Sequence, residues 1–222
     1  MTGVRLVVFD VDDTLYLERD YVRSGFAAVS RWAASELGIA DFFQQAWRRF
    51  ESGVRGTIFN DVLTSAGISA DAVSTMVQIY RTHQPEIALL DDARRTLTAL
   101  HRIVPLAAVT DGPVASQTAK ITALGLDSWL DPIMCTEALG AEFRKPASLA
   151  FEHLEAKTGL RGKTCLYVAD NPLKDFAGPK NLGWQTVRVR RPQGLHHAQP
   201  SGADVDREVA DLAGLAELVG DA

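Results

Sequence analysis

The chain has 222 residues, of which 46% are hydrophobic and 23% are charged, values that argue against a disordered chain or a coiled coil. The net charge of −5 and the mean hydropathy of −0.02 give no basic stripe for nucleic acid. No apolar stretch approaches the roughly 20 residues that span a bilayer, and Asp10 stands where a signal peptide needs an uncharged core. We therefore expect a cytoplasmic monomer or homodimer that binds neither nucleic acid nor a membrane.

Apolar runs rich in β-branched residues alternate with helical periodicity along most of the chain. Strands are predicted at Leu6–Phe9, Val104–Val109, Thr164–Ala169 and Thr186–Val189, with a weaker one at Pro132–Cys135. Helical spacing lies between them, at Tyr21–Leu37, Ala93–Leu100 and Gln117–Leu124. This alternation predicts an α/β fold, a doubly wound, Rossmann-like parallel sheet with helices on both faces.

One long segment interrupts the alternation. From Leu17 to about Leu89 the sequence shows helical patterns and turns but no convincing strand. We expect an all-helical inserted domain at 17–89 and a core domain built from 1–16 and 90–222. Trp32, within the insertion, is predicted to be buried.

Three features carry no predicted chemistry. Cys135 and Cys165 form no CxxC pair and are predicted to be small buried hydrophobes. The segment 190–204, rich in proline and glycine, is predicted to be a loop before a short final helix. His196 and His197 lie in this loop without a carboxylate partner, so we do not expect them to bind a metal.

Three aspartates follow the first predicted strand, at positions 10, 12 and 13. Ligands of parallel sheets bind beyond the carboxyl ends of the strands, and the spacing of Asp10 and Asp12 lets both side chains point the same way. Such like charges repel unless a cation, a proton or a reaction occupies the site. A calcium loop is excluded, because Leu15 and Tyr21 stand where its glycine and its glutamate are required.

The second major strand ends in Thr110, Asp111 and Gly112, just before a helix predicted to begin near Val114. The threonine offers a hydroxyl and the glycine permits close approach of the backbone, a combination that suits an anion. A plain strand-to-helix turn with a capping side chain is the alternative.

Two later segments also lie at the carboxyl end of a predicted strand or in a loop beside one. Lys145 precedes a proline that is predicted to open a helix. Asp170 ends the third major strand, and Asp175 follows five residues later. Taken alone, each segment is as typical of a solvated side chain or a helix cap as of a functional site.

Taken together, these segments converge on one crevice at the carboxyl ends of the strands. It would contain the carboxylates of Asp10, Asp12, Asp170 and Asp175, with Lys145 as the main cation. This excess of negative charge calls for a divalent metal. Oxygen-only ligands favour Mg²⁺, whose open positions normally hold water and a substrate phosphate.

The motif order, DxDxT at 10–14, then Thr110, then Lys145-Pro, then D-x4-D at 170–175, resembles that of the haloacid dehalogenase superfamily of phosphotransferases. The helical insertion is similar to the small cap of the subfamily that includes many sugar-phosphate and nucleotide phosphatases. Two positions depart from the family pattern, Asp13 for glycine or asparagine and Ala169 for glycine, and neither removes a functional group. We expect Asp13 and the Asp111 side chain to serve as turn and capping groups.

The resemblance implies a role for each matching residue. Asp10 would be the nucleophile that forms an aspartyl phosphate, and Asp12 the general acid and then the base for water. Crowding by neighbouring carboxylates is expected to keep Asp12 protonated for its acid step. Lys145 would balance charge between nucleophile and phosphate, and Thr110, with backbone amides near Asp111 and Gly112, would hold the phosphoryl oxygens.

The resemblance also implies the metal ligands and the substrate class. Asp10, the main-chain carbonyl of Asp12, Asp170 and Asp175 would bind Mg²⁺, Asp175 directly or through water. The predicted activity is hydrolysis of a phosphomonoester on a small phosphorylated metabolite, a sugar phosphate or a nucleoside monophosphate.

Other functions of this superfamily differ in the residues that they require. A true dehalogenase would lack Asp12, and a phosphonate hydrolase would need a cap lysine, which no position before Arg102 supplies. A phosphosugar mutase of the β-phosphoglucomutase type stays open, since it keeps both aspartates and a helical cap. A catalytically silent binding module is the alternative from another class.

Overall fold

The computed structural model describes residues 3–220, which form two compact units. One unit comprises the described residues up to Arg19 and those from Ala88 onward, and the other is Asp20–Ile87. These bounds differ by up to three residues from the core and insertion expected at 1–16 with 90–222 and at 17–89. Across the described residues, no helix combines the length and the apolar character that crossing a membrane requires.

Six strands of the first unit form one parallel sheet: β1 (Leu6–Phe9), β2 (Leu106–Thr110), β3 (Ile133–Cys135), β4 (Cys165–Ala169), β5 (Gln185–Val189) and β6 (Arg207–Val209). Their spatial order is β3-β2-β1-β4-β5-β6, with every pairing parallel. The strand β1 has β2 on one side and β4 on the other, so the order reverses there. A doubly wound sheet opens its ligand crevice at such a point, and the predicted α/β fold is confirmed.

The α-helices of the described residues follow in chain order: α1 (Glu18–Glu36), α2 (Phe42–Glu51), α3 (Ile58–Ser65), α4 (Val73–Thr82), α5 (Asp91–Leu100), α6 (Val114–Leu124), α7 (Thr136–Leu139), α8 (Leu149–Thr158), α9 (Ala177–Asn181) and α10 (Leu215–Gly220). Short 3₁₀ turns connect several of them. The last helix follows the loop that was predicted to precede it.

The sheet forms the core of the first unit. The strands β1, β2 and β4 are buried along their whole length. Side chains on one face of the sheet pack with Phe151 of α8 and with Trp184, and the Phe151 ring contacts both Tyr167 and Trp184 edge-on. Each such fully buried large side chain contributes roughly 1.5–3 kcal/mol. This packing holds the carboxyl ends of the three strands side by side.

Aromatic side chains fill the interior of the helical unit. Phe26 of α1 makes an edge contact with Phe59 of α3, and Tyr21 makes one with Tyr80 of α4. The Arg55 guanidinium lies 4.0 Å above the ring centroid of Phe50. These contacts place the amphipathic faces of the helices against one another, as their spacing requires.

Four local predictions were wrong. The edge strand β6 was not predicted, because three residues with two exposed side chains carry no apolar pattern. The helix after Lys145 begins at Leu149 and not at the proline. Trp32 and Cys135 are half-buried, and Cys135 is the last residue of β3.

Candidate functional site

The carboxyl ends of β1, β2 and β4 bring the predicted site residues together. Phe9, the last residue of β1, pairs with Ala108 of β2 and with Val168 of β4. The backbone N–H of Asp10 continues the ladder by donating to the Val168 carbonyl at 2.9 Å. Asp10 therefore leaves the sheet at the same level as Thr110 and Asp170.

Lys145 lies in the middle of this group and is fully buried. Its ammonium donates to Asp10 Oδ1 at 2.8 Å and to the Tyr167 hydroxyl oxygen at 3.1 Å. It also lies 2.8 Å from Asp175 Oδ1, at an angle outside hydrogen-bond geometry. A buried ammonium needs such partners, because an unpaired charge in the interior is costly. The geometry thus joins Lys145 to two of the four carboxylates that were predicted to share its crevice.

Three buried carboxylates form a cluster beside the Lys145 ammonium. One oxygen from each of Asp10, Asp170 and Asp175 lies within 4.8 Å of the other two. Asp175 Oδ2 accepts the backbone N–H of Asn171 at 2.8 Å, whereas Oδ1 makes no hydrogen bond of good geometry. An all-oxygen donor set of this kind fits Mg²⁺.

The pKa values of the cluster report the same excess of negative charge. Burial raises the pKa of Asp10 to about 6, with Lys145 opposing the rise and Asp175 adding to it. Burial, followed by the charges of Asp175 and Asp10, raises the pKa of Asp170 well above its usual range. These groups are therefore held in an environment that favours protons or a cation over free carboxylates.

Asp12 has an ammonium of its own, which the sequence analysis did not anticipate. Lys120 of α6 donates to Asp12 Oδ1 at 2.7 Å and to Oδ2 at 2.9 Å. The Tyr16 hydroxyl also donates to Oδ1, and Gln117 Nε2 to Oδ2 at 3.4 Å. Every carboxylate oxygen of Asp12 is therefore held by neighbouring donors.

The expectation that crowding keeps Asp12 protonated is wrong for this arrangement. Burial raises the pKa of Asp12, but the charge of Lys120 and the hydrogen bonds donated to the carboxylate outweigh burial, and the pKa is lowered. Asp12 therefore rests as a carboxylate, the form that accepts a proton.

The turn after β2 is organised by a glutamine. The fully buried Thr110 hydroxyl donates to Gln117 Oε1 at 3.1 Å, and Gln117 Nε2 donates to the Asp111 carbonyl at 2.9 Å. Gly112 has a φ of +134°, and a Cβ there would lie 2.7 Å from Gln117 Nε2. Glycine is required here for its φ and for the close approach of this side chain.

The Asp111 side chain fastens the turn to the Lys145 loop. Its carboxylate accepts the Thr136 hydroxyl at 2.7 Å and the Lys145 backbone N–H at 3.3 Å. Lys174 adds an ammonium 3.3 Å from Asp111 Oδ2. Lys174 and Lys120 are further cations near the crevice that were not predicted from the sequence.

Two further contacts frame the site. The Asp13 carboxylate accepts the backbone N–H groups of Glu18 and Leu195, at 2.8 and 2.7 Å, which fits the predicted turn role. In the loop before β6, His196 Nε2 lies 3.0 Å from Asn171 Nδ2. The loop therefore closes on the residue next to Asp170, although its histidines were set aside in the sequence analysis.

Sequence reasoning missed Gln117, Lys120, Lys174 and Tyr167. The first two are three residues apart and share one face of α6. The available signal was their place on the face of the predicted helix that also carries Leu124, since a polar pair on an inward face needs partners.

The chain is similar to several known proteins. The profile of the haloacid dehalogenase-like hydrolase family matches residues 4–183. A ribulose-1,5-bisphosphate 5-phosphatase of Halopiger xanaduensis is 29% identical over 200 residues, which cover 82% of each chain. A glyceraldehyde 3-phosphate phosphatase of Methanocaldococcus jannaschii is 25% identical over 84% of this chain and 85% of its own.

A solved structure has the same fold. It is the HAD-hydrolase YfnB from Bacillus subtilis, described as bound to magnesium. The TM-score is 0.73 at 23% identity, with 99% of this chain and 100% of that chain covered.

Proposed function

The chain belongs to the haloacid dehalogenase-like hydrolase family and is an enzyme of its phosphatase type, and we propose that it hydrolyses a small phosphorylated metabolite through a phosphorylated Asp10. One observation carries the proposal. Asp10 is a buried carboxylate that lies 2.8 Å from a buried ammonium and shares a three-carboxylate cluster with Asp170 and Asp175.

Asp10 is the proposed nucleophile. A carboxylate needs no activation at neutral pH, but it must approach an anionic phosphate. The Lys145 ammonium, 2.8 Å from Asp10 Oδ1, lowers that repulsion and stabilises charge on the phosphoryl oxygens in the transition state. The proposed donors to those oxygens are the backbone amides near Asp111 and Gly112 and the Thr110 hydroxyl, which would turn from Gln117 Oε1 to a phosphoryl oxygen.

Asp12 is the proposed proton carrier. In the first half-reaction, the Asp12 carboxylate takes the proton that a phosphomonoester monoanion carries and passes it to the leaving oxygen, as the phosphorus–oxygen bond breaks and Asp10 is phosphorylated. In the second, its carboxylate takes a proton from the attacking water, and phosphate and free Asp10 are released. The lowered pKa of Asp12, caused by Lys120 against the opposing effect of burial, suits the second step.

Mg²⁺ is the proposed cofactor, held by Asp10, Asp170, Asp175 and the main-chain carbonyl of Asp12. The cluster of ligand oxygens within 4.8 Å supports this assignment. When bound, the ion supplies positive charge that neutralises the phosphate and the carboxylates.

The proposed substrates are small sugar phosphates and related phosphometabolites. The named relatives support this class, since they act on ribulose bisphosphate and glyceraldehyde phosphate, and a further relative from Mus musculus is an N-acylneuraminate-9-phosphatase, 26% identical over 82% of this chain. Selection among substrates is proposed to depend on the helical unit, Asp20–Ile87, acting as a cap.

The test is phosphate release across a panel of sugar phosphates, nucleoside monophosphates and phospho-acids, with Mg²⁺ or with a chelator. We expect Mg²⁺-dependent release that favours one class. Asp10→Asn is expected to abolish release while circular dichroism stays unchanged. Release by Asp10→Asn at the wild-type rate would remove Asp10 from the nucleophile role, and silence of the wild type across the panel would point to a mutase, tested with a sugar bisphosphate.

A further inference from the structure

The helix α6 places a lysine in the interior, where a lysine is rarely found. Lys120 is only 4% exposed and lies on the buried face of α6 with Ser116 and Gln117. Burying a charged side chain costs several kcal/mol unless a partner of opposite charge is present. This position therefore needs a reason beyond packing.

The partner is Asp12, and Lys120 contacts both of its carboxylate oxygens. Lys120 Nζ lies 2.7 Å from Oδ1 and 2.9 Å from Oδ2 of the same carboxylate. A single point charge at nearly equal distances from both oxygens fixes the direction of the carboxylate as well as its position. Gln117, one turn earlier on α6, adds a donor 3.4 Å from Oδ2.

The same helix face is tied to the turn that carries the proposed phosphate donors. Gln117 accepts from the Thr110 hydroxyl and donates to the Asp111 carbonyl, at 3.1 and 2.9 Å. The buried face of α6 thereby fixes the position of the Asp12 carboxylate relative to Thr110. Lys145 separately contacts Asp10. Each of the two proposed reacting carboxylates has its own buried ammonium.

We propose that Lys120 is a positioning residue for Asp12, which it aims at the oxygen that leaves the phosphate. This inference rests on the proposed function, in which Asp12 exchanges that proton. Without the ammonium, Asp12 would lie beside Asp10 and Asp13 and lack the cation that contacts both of its oxygens, and repulsion would turn its carboxylate away.

The test compares two substrates that differ in how much they need a proton on the leaving oxygen. An alkyl phosphate needs one, whereas p-nitrophenyl phosphate releases a stable anion. The ratio kcat/KM reports the steps up to phosphorylation of the nucleophile, so it isolates the acid step. Lys120→Met keeps the length of the side chain and removes the charge.

We expect Lys120→Met to lower kcat/KM about 100-fold for the alkyl phosphate and less than about fivefold for p-nitrophenyl phosphate, the size of an acid–base contribution. Lys120→Arg should restore much of the loss, because a guanidinium also binds a carboxylate with two donors. Lys180→Met is the matched control, since Lys180 of α9 pairs with Asp206, and the ratio of kcat/KM between the two substrates should not change.

A double-mutant cycle separates positioning from mere support of the fold. In an Asp12→Asn background, Lys120→Met should cause no further loss of kcat/KM, since its effect passes through Asp12. Equal losses for both substrates, or a full further loss in the Asp12→Asn background, would overturn the inference while leaving the hydrolase intact. Inactivity of the wild type on both substrates would instead reject the proposed function.

If Lys120→Met does not fold, Lys120→Gln, which keeps donors without the charge, replaces it in the same cycle. Thermal unfolding of the four proteins supplies a second readout that does not depend on activity. The drop in Tm caused by the Lys120 substitution should be smaller when Asp12 is already Asn. An equal drop in both backgrounds would show that Lys120 does not act through Asp12.

Discussion

At the scale of single residues, the site is a balance of buried charges in which Lys145 is the central member. It is fully buried, and its ammonium lies 2.8 Å from both Asp10 Oδ1 and Asp175 Oδ1. Tyr167, which is also buried, accepts the second hydrogen bond of the ammonium and donates to the Val109 carbonyl at 3.3 Å. Removing one partner of such a buried group is far more costly than removing an exposed ion pair.

We predict that Lys145→Met lowers the free energy of unfolding by about 3–5 kcal/mol in chelator, because two buried carboxylates lose their ammonium. Urea unfolding measures the change. Lys157→Met, on the exposed side of α8, is the control, with a change within about 0.5 kcal/mol. A loss for Lys145→Met no larger than that of the control would contradict the charge balance described here.

At the scale of elements, short helices fix the loops that carry the site. The helix α9 packs directly on the backbone that follows Lys145. A Cβ added at Gly178 of α9 would lie 2.8 Å from the Ala147 carbonyl oxygen and 2.9 Å from that of Pro146. Backbone atoms cannot rotate aside as a side chain can, so this approach leaves room only for glycine.

Gly178→Ala is expected to destabilise the protein by about 1–3 kcal/mol through overpacking. It should also lower kcat, because the displaced segment carries Lys145. Gly202→Ala is a matched control, since nothing lies within 4 Å of the Cβ that it would add. Thermal unfolding and phosphate release on both variants provide the comparison, and identical behaviour of the two would refute the packing argument.

At the scale of the whole molecule, the sheet gathers carboxylates whose mutual repulsion works against folding. The pKa of Asp10 is raised by burial to about 6, from a usual value of 3.8. A raised pKa means that the folded state holds its proton more tightly than the unfolded state does. Asp10 therefore contributes stability below about pH 4 that is lost as the pH rises through about 6.

A bound cation should reverse this loss. We predict that Mg²⁺ at about 100 times its Kd stabilises the protein by about 2.7 kcal/mol, a rise in Tm of roughly 5–10 °C. At the same Mg²⁺ concentration, the rise in Tm should be smaller at pH 5 than at pH 7.5, because protons on Asp10 and Asp170 compete with the cation. Asp170→Asn should remove most of it, and an equal shift in wild type and Asp170→Asn would place the cation elsewhere.

Local pattern determined most of the fold and the identity of the site residues. The strand β1 was predicted at its observed bounds, and β4 within one residue, because fully buried strands leave continuous apolar runs in the sequence. The residues Asp10, Thr110 and Asp170 were identifiable because each follows such a run directly. The edge strand β6 left no comparable pattern, since edge strands have fewer neighbours to bury.

Only the tertiary structure decided the electrostatics. Asp12 and Lys120 are 108 residues apart in the chain, and no spacing rule joins residues on different elements. Their ion pair reverses the expected effect of the neighbouring carboxylates on the pKa of Asp12. The chemical groups of the site follow from the sequence, whereas the charge that each group carries depends on distances of a few ångströms that only folding sets.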